Sequence, residues 1–429
     1  MGVLLRKVYV YILPYQGNYP TRLLQLPPLV LLPMTSSSFS RRSFLLTLGT
    51  GLAGTAVLAA CARTGLGSSN ASYLVYVGSY GPADQENIVL YRLTPATGAL
   101  TRVLGAKGGA APSFLTVDTQ HRFLYAVNEV DNYQGTPNGG VSAFAIDRKT
   151  GGLTLLNQQA SGGTIPCYIS LDKQNRHALV ANYGNGTVAA LPIGPDGQLR
   201  PASSIDQHQG HGPHKNQTNA RGHCLLPDPA GKHFFAVDLG NDTVYGYTLD
   251  ASGKLLGQSG PAFKAKPGAG PRILTFHPTK PLAFLINELD STMTSLAYDA
   301  SRGTLTEIQT LTTLPASFTE WNACADVHVS PNGKFLYGSN RGHNSLVVYA
   351  IDQNSGRLSF VEHVMLPGKT PRSFTFDPTG RTVLVAHQQS NTIVTYFADA
   401  NTGRLTPTGT SVELPAPVCL QVYPDFLRS

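Results

Sequence analysis

A closed ring of seven four-stranded units, an all-β seven-bladed β-propeller, is the fold this sequence predicts, on three observations. The first is a repeated turn, a glycine with leucine two positions on: Gly98/Leu100, Gly151/Leu153, Gly197/Leu199, Gly253/Leu255, Gly303/Leu305, Gly356/Leu358 and Gly403/Leu405. Successive glycines lie 53, 46, 56, 50, 53 and 47 residues apart. Such a period marks a unit that cannot bury its apolar face alone and stacks on copies of itself. The second is the content of each unit, four short runs rich in Val, Ile, Leu, Tyr and Phe broken by Gly, Asn, Asp and Pro, with no helical periodicity. The third is a pair of complementary ends. The chain closes on a lone first strand, Val418 to Tyr423, and the domain opens on later strands, Tyr73 to Val77 and Ile88 to Tyr91. Together they complete one blade, which removes the exposed edges an open array would carry.

The ring is expected over residues 72–429, behind a leader at 1–61 and a short linker at 62–71. Ser40-Arg41-Arg42-Ser43-Phe44-Leu45 is a twin-arginine pattern, and Leu45 to Ala60 is a moderately apolar run. The run ends in Leu58-Ala59-Ala60-Cys61, where a cysteine would receive a lipid after cleavage. It is too short, and too rich in Gly, Thr and Ala, to read as a membrane span. Residues 1–33 fit no leader grammar, so translation is expected to start at Met34. The expectation is an exported, periplasm-facing monomer that meets the membrane only through Cys61.

The net charge of +7 belongs largely to that leader. Five of the 32 basic residues and none of the 25 acids precede Cys61, which leaves 27 against 25. No nucleic-acid footprint follows from such a balance. Cys167, Cys224, Cys324 and Cys419 each sit in or beside an apolar strand of a different unit and are expected as free buried thiols.

Superposing the units on their first turn aligns Ser113, Cys167, His223, Arg272, Ala325, Arg372 and Val418 at the start of the innermost strand. Fifteen positions later come Asn128, Asn182, Asp238, Asn287, Asn340 and His387. This nearly invariant polar position reads as turn chemistry. The next residue is Glu129, Tyr183, Leu239, Glu288, Arg341 or Gln388, with Tyr80 as the seventh. A residue the blade itself needs should recur in every blade; these vary and carry charge. Several ionisable groups facing one axis pack poorly unless paired, but they suit an anionic, polar ligand.

The chain resembles the seven-bladed lactonases of the 6-phosphogluconolactonase type, which are related to the fungal carboxy-cis,cis-muconate cyclases. The resemblance rests on Gly268-Ala269-Gly270-Pro271-Arg272, Phe276-His277-Pro278, Ile286-Asn287-Glu288-Leu289 and Arg221-Gly222-His223 with Pro227-Asp228-Pro229. Ala325-Asp326-Val327-His328 and Ser339-Asn340-Arg341 complete it, and it runs from about Tyr73 to Tyr423. It implies a catalytic set of His223, Arg272, Glu288 and Arg341, all four already marked by register. Many relatives carry a His-x-His pair where this chain has Arg221, which places the weight on His223.

For lactone opening, Glu288 is the expected general base and His223 the proton donor. Arg272 and Arg341 would hold the carboxylate and the developing oxyanion. Arg372, Glu129, Tyr183 and Gln388 are expected to bind substrate. No cofactor or metal is called for, and no Gly-x-Ser-x-Gly nucleophile motif occurs. His208, His211 and His214 form a run that could in principle hold a metal, but they are expected only to decorate the rim near His223. A muconate-type cyclase and a non-catalytic binding propeller are the alternatives. Because phosphorylated sugar lactones are cytoplasmic, the leader predicts an unphosphorylated lactone as substrate.

Overall fold

The computed structural model describes residues 72–427; the leader, with Met34 and Cys61, lies outside them. Among the described residues the chain forms 28 strands in seven antiparallel four-stranded sheets. Blades 1 to 6 begin with the innermost strands Pro112–Val117, Pro166–Leu171, Gly222–Pro227, Pro271–Phe276, Cys324–Val329 and Pro371–Phe376. Blade 7 is composite: its innermost strand Pro417–Pro424 pairs antiparallel with Tyr73–Ser79 from the other end of the domain. Ring closure therefore follows the complementary ends expected above.

Burial falls outward along each blade. Second strands such as Leu282–Asn287 and Phe335–Asn340 are buried at every position, because they face a neighbouring blade on each side. Outermost strands are mostly half-buried or exposed, as in Leu358–Met365, and leave Leu155, Ile205 and Phe360 on the surface. Apolar side chains fill the gaps between blades; one such layer joins Phe235 and Val237 of blade 3 to Phe284 and Ile286 of blade 4.

The repeated glycine is the latch between blades. All seven have φ between 68° and 81°, the left-handed region that glycine enters without a steric cost. Each also lies against the preceding blade: Gly197 on the Phe123 ring, Gly356 on Leu282, Gly403 on Phe335. Its carbonyl then accepts a hydrogen bond from that same blade. The donors are the Tyr76 hydroxyl to Gly151 (2.9 Å), Tyr125 to Gly197 (3.0 Å), Ser203 to Gly253 (2.8 Å) and the Gln258 amide to Gly303 (3.3 Å). Ser295 bonds Gly356 (2.5 Å), Tyr337 bonds Gly403 (2.6 Å) and Thr395 bonds Gly98 (2.9 Å), which completes the circle. Gly197→Ala should therefore cost about 2–4 kcal/mol, combining left-handed strain with a forced shift of Phe123. Chemical denaturation measures it; a cost below about 1 kcal/mol would contradict the latch.

Candidate active site

A β-bulge in every blade builds the mouth of the central channel. Pairing between first and second strands skips one residue at Ser113, Cys167, His223, Arg272, Arg372 and Val418; in blade 5 Ala325 and Asp326 face the single residue Ser339, again one in excess. These bulges fall on the register position identified from the sequence. A bulge leaves its residue outside the ladder and re-aims the side chain. Left-handed backbone precedes the strand at Ala111, Ile165, Gly270, Thr370 and Ala416; a β-branched residue such as Ile165 or Thr370 takes that conformation only where its surroundings impose it.

A second repeated feature brings the other variable position alongside. In each blade its amide donates to the carbonyl two residues before the bulge. The bonds are Glu129 to Ala111, Tyr183 to Ile165, Leu239 to Arg221, Glu288 to Gly270, Arg341 to Ala323, Gln388 to Thr370 and Tyr80 to Ala416, at 2.7–3.0 Å. Tyr80 is thus the seventh member. The conserved polar position plays the structural part expected of it. Asn128 donates to the carbonyls of Gly108 and Ala110 at 2.8 and 2.9 Å, and Asp238 accepts from the amides of Arg221 and Gly240 at 2.8 and 2.9 Å.

The charged side chains gather into two groups. In the first, Glu288 Oε2 receives Arg272 Nε at 2.9 Å and Arg341 Nη2 at 2.7 Å. Arg272 Nη1 also donates to the Ala325 carbonyl, and Arg341 Nε and Nη2 reach the carbonyls of Ala323 (3.2 Å) and Cys324 (3.1 Å). Among the described residues, one terminal nitrogen of each guanidinium, Nη2 of Arg272 and Nη1 of Arg341, stands outside these bonds. In the second group Arg372 reaches from blade 6 to Glu129 of blade 1 (3.7 Å) and lies over the Tyr80 ring. The Tyr80 hydroxyl donates to Glu129 Oε1 at 2.8 Å.

His223 is 5 % exposed, and its Nδ1 is buried without a partner. Its ring meets the edge of Tyr183, 5.6 Å between centroids, and the Arg221 guanidinium covers Tyr183 at 4.9 Å. Burial, then the positive fields of Arg272 and Arg372, holds the imidazole well below its usual pKa of 6.5. Burial works against the charge of Glu288, but Arg341, Arg272 and Arg372 outweigh it and hold the carboxyl below 4.5. Arg272 is pushed down to about 10 by burial and by Arg341, against the pull of Glu288; it stays a cation at neutral pH.

Arg272, Glu288 and Arg341 are thus in direct contact, with His223 on the adjacent blade. Of the four expected substrate contacts, Arg372, Glu129 and Tyr183 join the charged and aromatic wall. Gln388 shares the backbone register. Two guanidiniums hold Glu288 ionised and lower its basicity, and burial keeps the resting His223 imidazole neutral; both bear on the expected roles. One expectation changes. The histidine run does not decorate the rim as a unit. His208 turns inward, its Nδ1 on Asp238 (2.8 Å) and its Nε2 on the Tyr247 hydroxyl (2.9 Å), while His211 is exposed.

Sequence reasoning passed over Ser113, whose buried hydroxyl has no partner, although it holds the same register position. It also passed over Asp326, which sits opposite Ser339, its amide on the Ser339 hydroxyl at 3.0 Å, and pairs with His328 at 3.4 Å. Among the described residues, Cys167, Cys224, Cys324 and Cys419 are free and buried as expected.

Residues 74–422 match the family model described as Lactonase, 7-bladed beta-propeller. Among curated proteins, the 6-phosphogluconolactonase of Bacillus subtilis (strain 168) is 37% identical over 350 residues, covering 81% of this chain and 98% of its own. Among solved structures, the periplasmic gluconolactonase of Pseudomonas aeruginosa superposes with a TM-score of 0.76 at 33% identity, over 82% of this chain and 99% of that one. A protein from Lactobacillus plantarum gives 0.75 at 32% identity, with the same coverage. The blades, the bulged register and these similarities agree: the chain belongs to the family of seven-bladed β-propeller lactonases.

Proposed function

We propose that this chain hydrolyses a sugar-type lactone at the mouth, with His223 as general base. The observation that carries the reading is the arginine pair on Glu288, each guanidinium with one terminal nitrogen outside that pairing, together with a neutral imidazole, His223, on the adjacent blade. His223 takes a proton from water as the water oxygen bonds to the lactone carbonyl carbon. Arg272 Nη2 and Arg341 Nη1 hold the oxygen that becomes negative, each such donor being worth about 3 kcal/mol. The bond from carbonyl carbon to ring oxygen then breaks, and the proton returns from His223 to the leaving oxygen. The product hydroxy acid ionises, and its carboxylate remains opposite the arginines. Glu288 supplies the counter-charge that lets two arginines lie side by side, and Glu129 with Tyr80 does the same for Arg372.

The substrate we propose is an unphosphorylated lactone, met after export behind the leader. Purified protein given glucono-1,5-lactone, its 6-phosphate and a muconolactone tests the reading. The expected result is ring opening with the highest kcat/KM on the unphosphorylated sugar lactone. Preference for the 6-phosphate would overturn the substrate, muconolactone turnover alone would favour the cyclase, and no turnover would leave a binding propeller. Export is tested separately by fractionation: the mature chain should appear in the periplasm or with the membrane, and recovery from the cytoplasm would refute it.

A further inference from the structure

The single tryptophan of the sequence, Trp321, is 64 % exposed. A lone exposed apolar residue usually means nothing, but its position here is specific. It lies on the connection between Thr304–Thr312 of blade 4 and Cys324–Val329 of blade 5. This is the same type of connection whose carbonyls position the mouth residues in every blade. Two residues further on, the Ala323 carbonyl accepts from the amide of Arg341 (3.0 Å) and from its Nε (3.2 Å). Two residues of chain span at most about 7 Å, so the Trp321 backbone lies within that reach of the Ala323 carbonyl that holds Arg341.

The connection is held firmly. The Asn322 amide group donates to Ser291 Oγ (2.9 Å) and Asn340 Oδ1 (3.1 Å). Its carbonyl oxygen accepts from the amides of Gly342 (2.9 Å) and His343 (3.1 Å), the turn directly after Arg341. Gly342 has no space for a Cβ because the Trp321 carbonyl occupies it, and Phe318 meets His343 edge-on at 4.8 Å. Thr319, Glu320 and Trp321 are left as three consecutive exposed residues at the rim. An exposed indole on a firmly held backbone, with a carboxylate and a hydroxyl on the two residues before it, suits a neutral polyhydroxylated ring: the C–H face stacks on the indole and the hydroxyls bond the polar pair. Glu320 disfavours a second anionic group at that place.

We propose that Trp321 forms a second subsite for a neutral sugar, so that the substrate is an aldonolactone carrying a further glycosyl unit. The lactone ring sits in the arginine-lined mouth and the attached sugar stacks on Trp321. This rests on the hydrolase reading, but its test does not depend on turnover, because Trp321 is the only tryptophan and its fluorescence reports the subsite directly. Cellobionic acid should change the emission at concentrations where gluconic acid does not. Trp321→Ala should lower kcat/KM for cellobiono-1,5-lactone about tenfold relative to that for glucono-1,5-lactone, and Trp321→Phe should retain most of the preference. The melting temperature of each variant serves as a check on folding. An emission indifferent to cellobionic acid, or a ratio equal in wild type and Trp321→Ala, overturns the proposal. So does an emission that responds to phosphatidylglycerol vesicles in place of the sugar. A wild type that opens no lactone but whose emission answers to cellobionic acid sinks the hydrolase reading and supports the subsite.

Discussion

His223→Asn should lower kcat/KM on the preferred lactone by about 10²–10⁴-fold, the range for removing a positioned general base. Folding should be little affected, since the ring nitrogen Nδ1 has no partner to lose. The pH profile provides a second readout. Catalysis needs the neutral imidazole, which the folded protein retains well below pH 6.5, so activity should be level through neutrality and fall only in acid. Arg372→Gln removes one of the positive charges opposing protonation and should move that acid limb upward. Stability follows the same sign. Below pH 6.5 the unfolded chain takes up a proton that folded His223 refuses, so stability present above 6.5 is lost as the pH falls. A wild-type acid limb at or above pH 6.5, or more than about a tenth of activity left in His223→Asn, contradicts the assignment.

Glu288→Gln should cost about 3–5 kcal/mol of folding stability, because it leaves two buried guanidiniums without their shared counter-charge. The side chains of Arg272, Arg341 and Glu288 are only 5 %, 13 % and 15 % exposed, so water does little to screen the loss. Activity should fall as well, as Arg272 and Arg341 move apart. Were Glu288 the base, activity would collapse at little cost in stability. Denaturation curves and kcat/KM on the same variant separate the two. The double variant Glu288→Gln/Arg341→Met should recover part of the stability, since it removes one uncompensated charge and couples to the first change. A Glu288→Gln protein as stable as wild type would refute the counter-charge role.

The candidate site was legible through the irregularities of a regular repeat. Ser113, His223, Arg272 and Arg372 share one register position, and Glu129, Glu288 and Arg341 share another. The local rules of bulge and turn depend on neighbouring residues in the chain, so a one-dimensional alignment recovers them. Partnership was not legible. Nothing in the spacing joins Arg372 to Glu129 across blade 7, or distinguishes Glu288 between two arginines from a carboxylate free to act as base. The pairing of His208 with Asp238 and Tyr247 was equally hidden, because it depends on which way one loop folds. For the same reason Trp321 carried no sequence signal.

The sequence by itself determined the number of blades, the closure of the ring and the two register positions per blade on which the charged residues fall. These follow from periodicity, turn chemistry and complementary ends, all local along the chain. Only the tertiary structure decided the partners and the electrostatic surroundings of those side chains. A pKa is set by burial and by charges a few ångströms away, and in a closed ring those neighbours come from different blades, often more than a hundred residues distant in sequence.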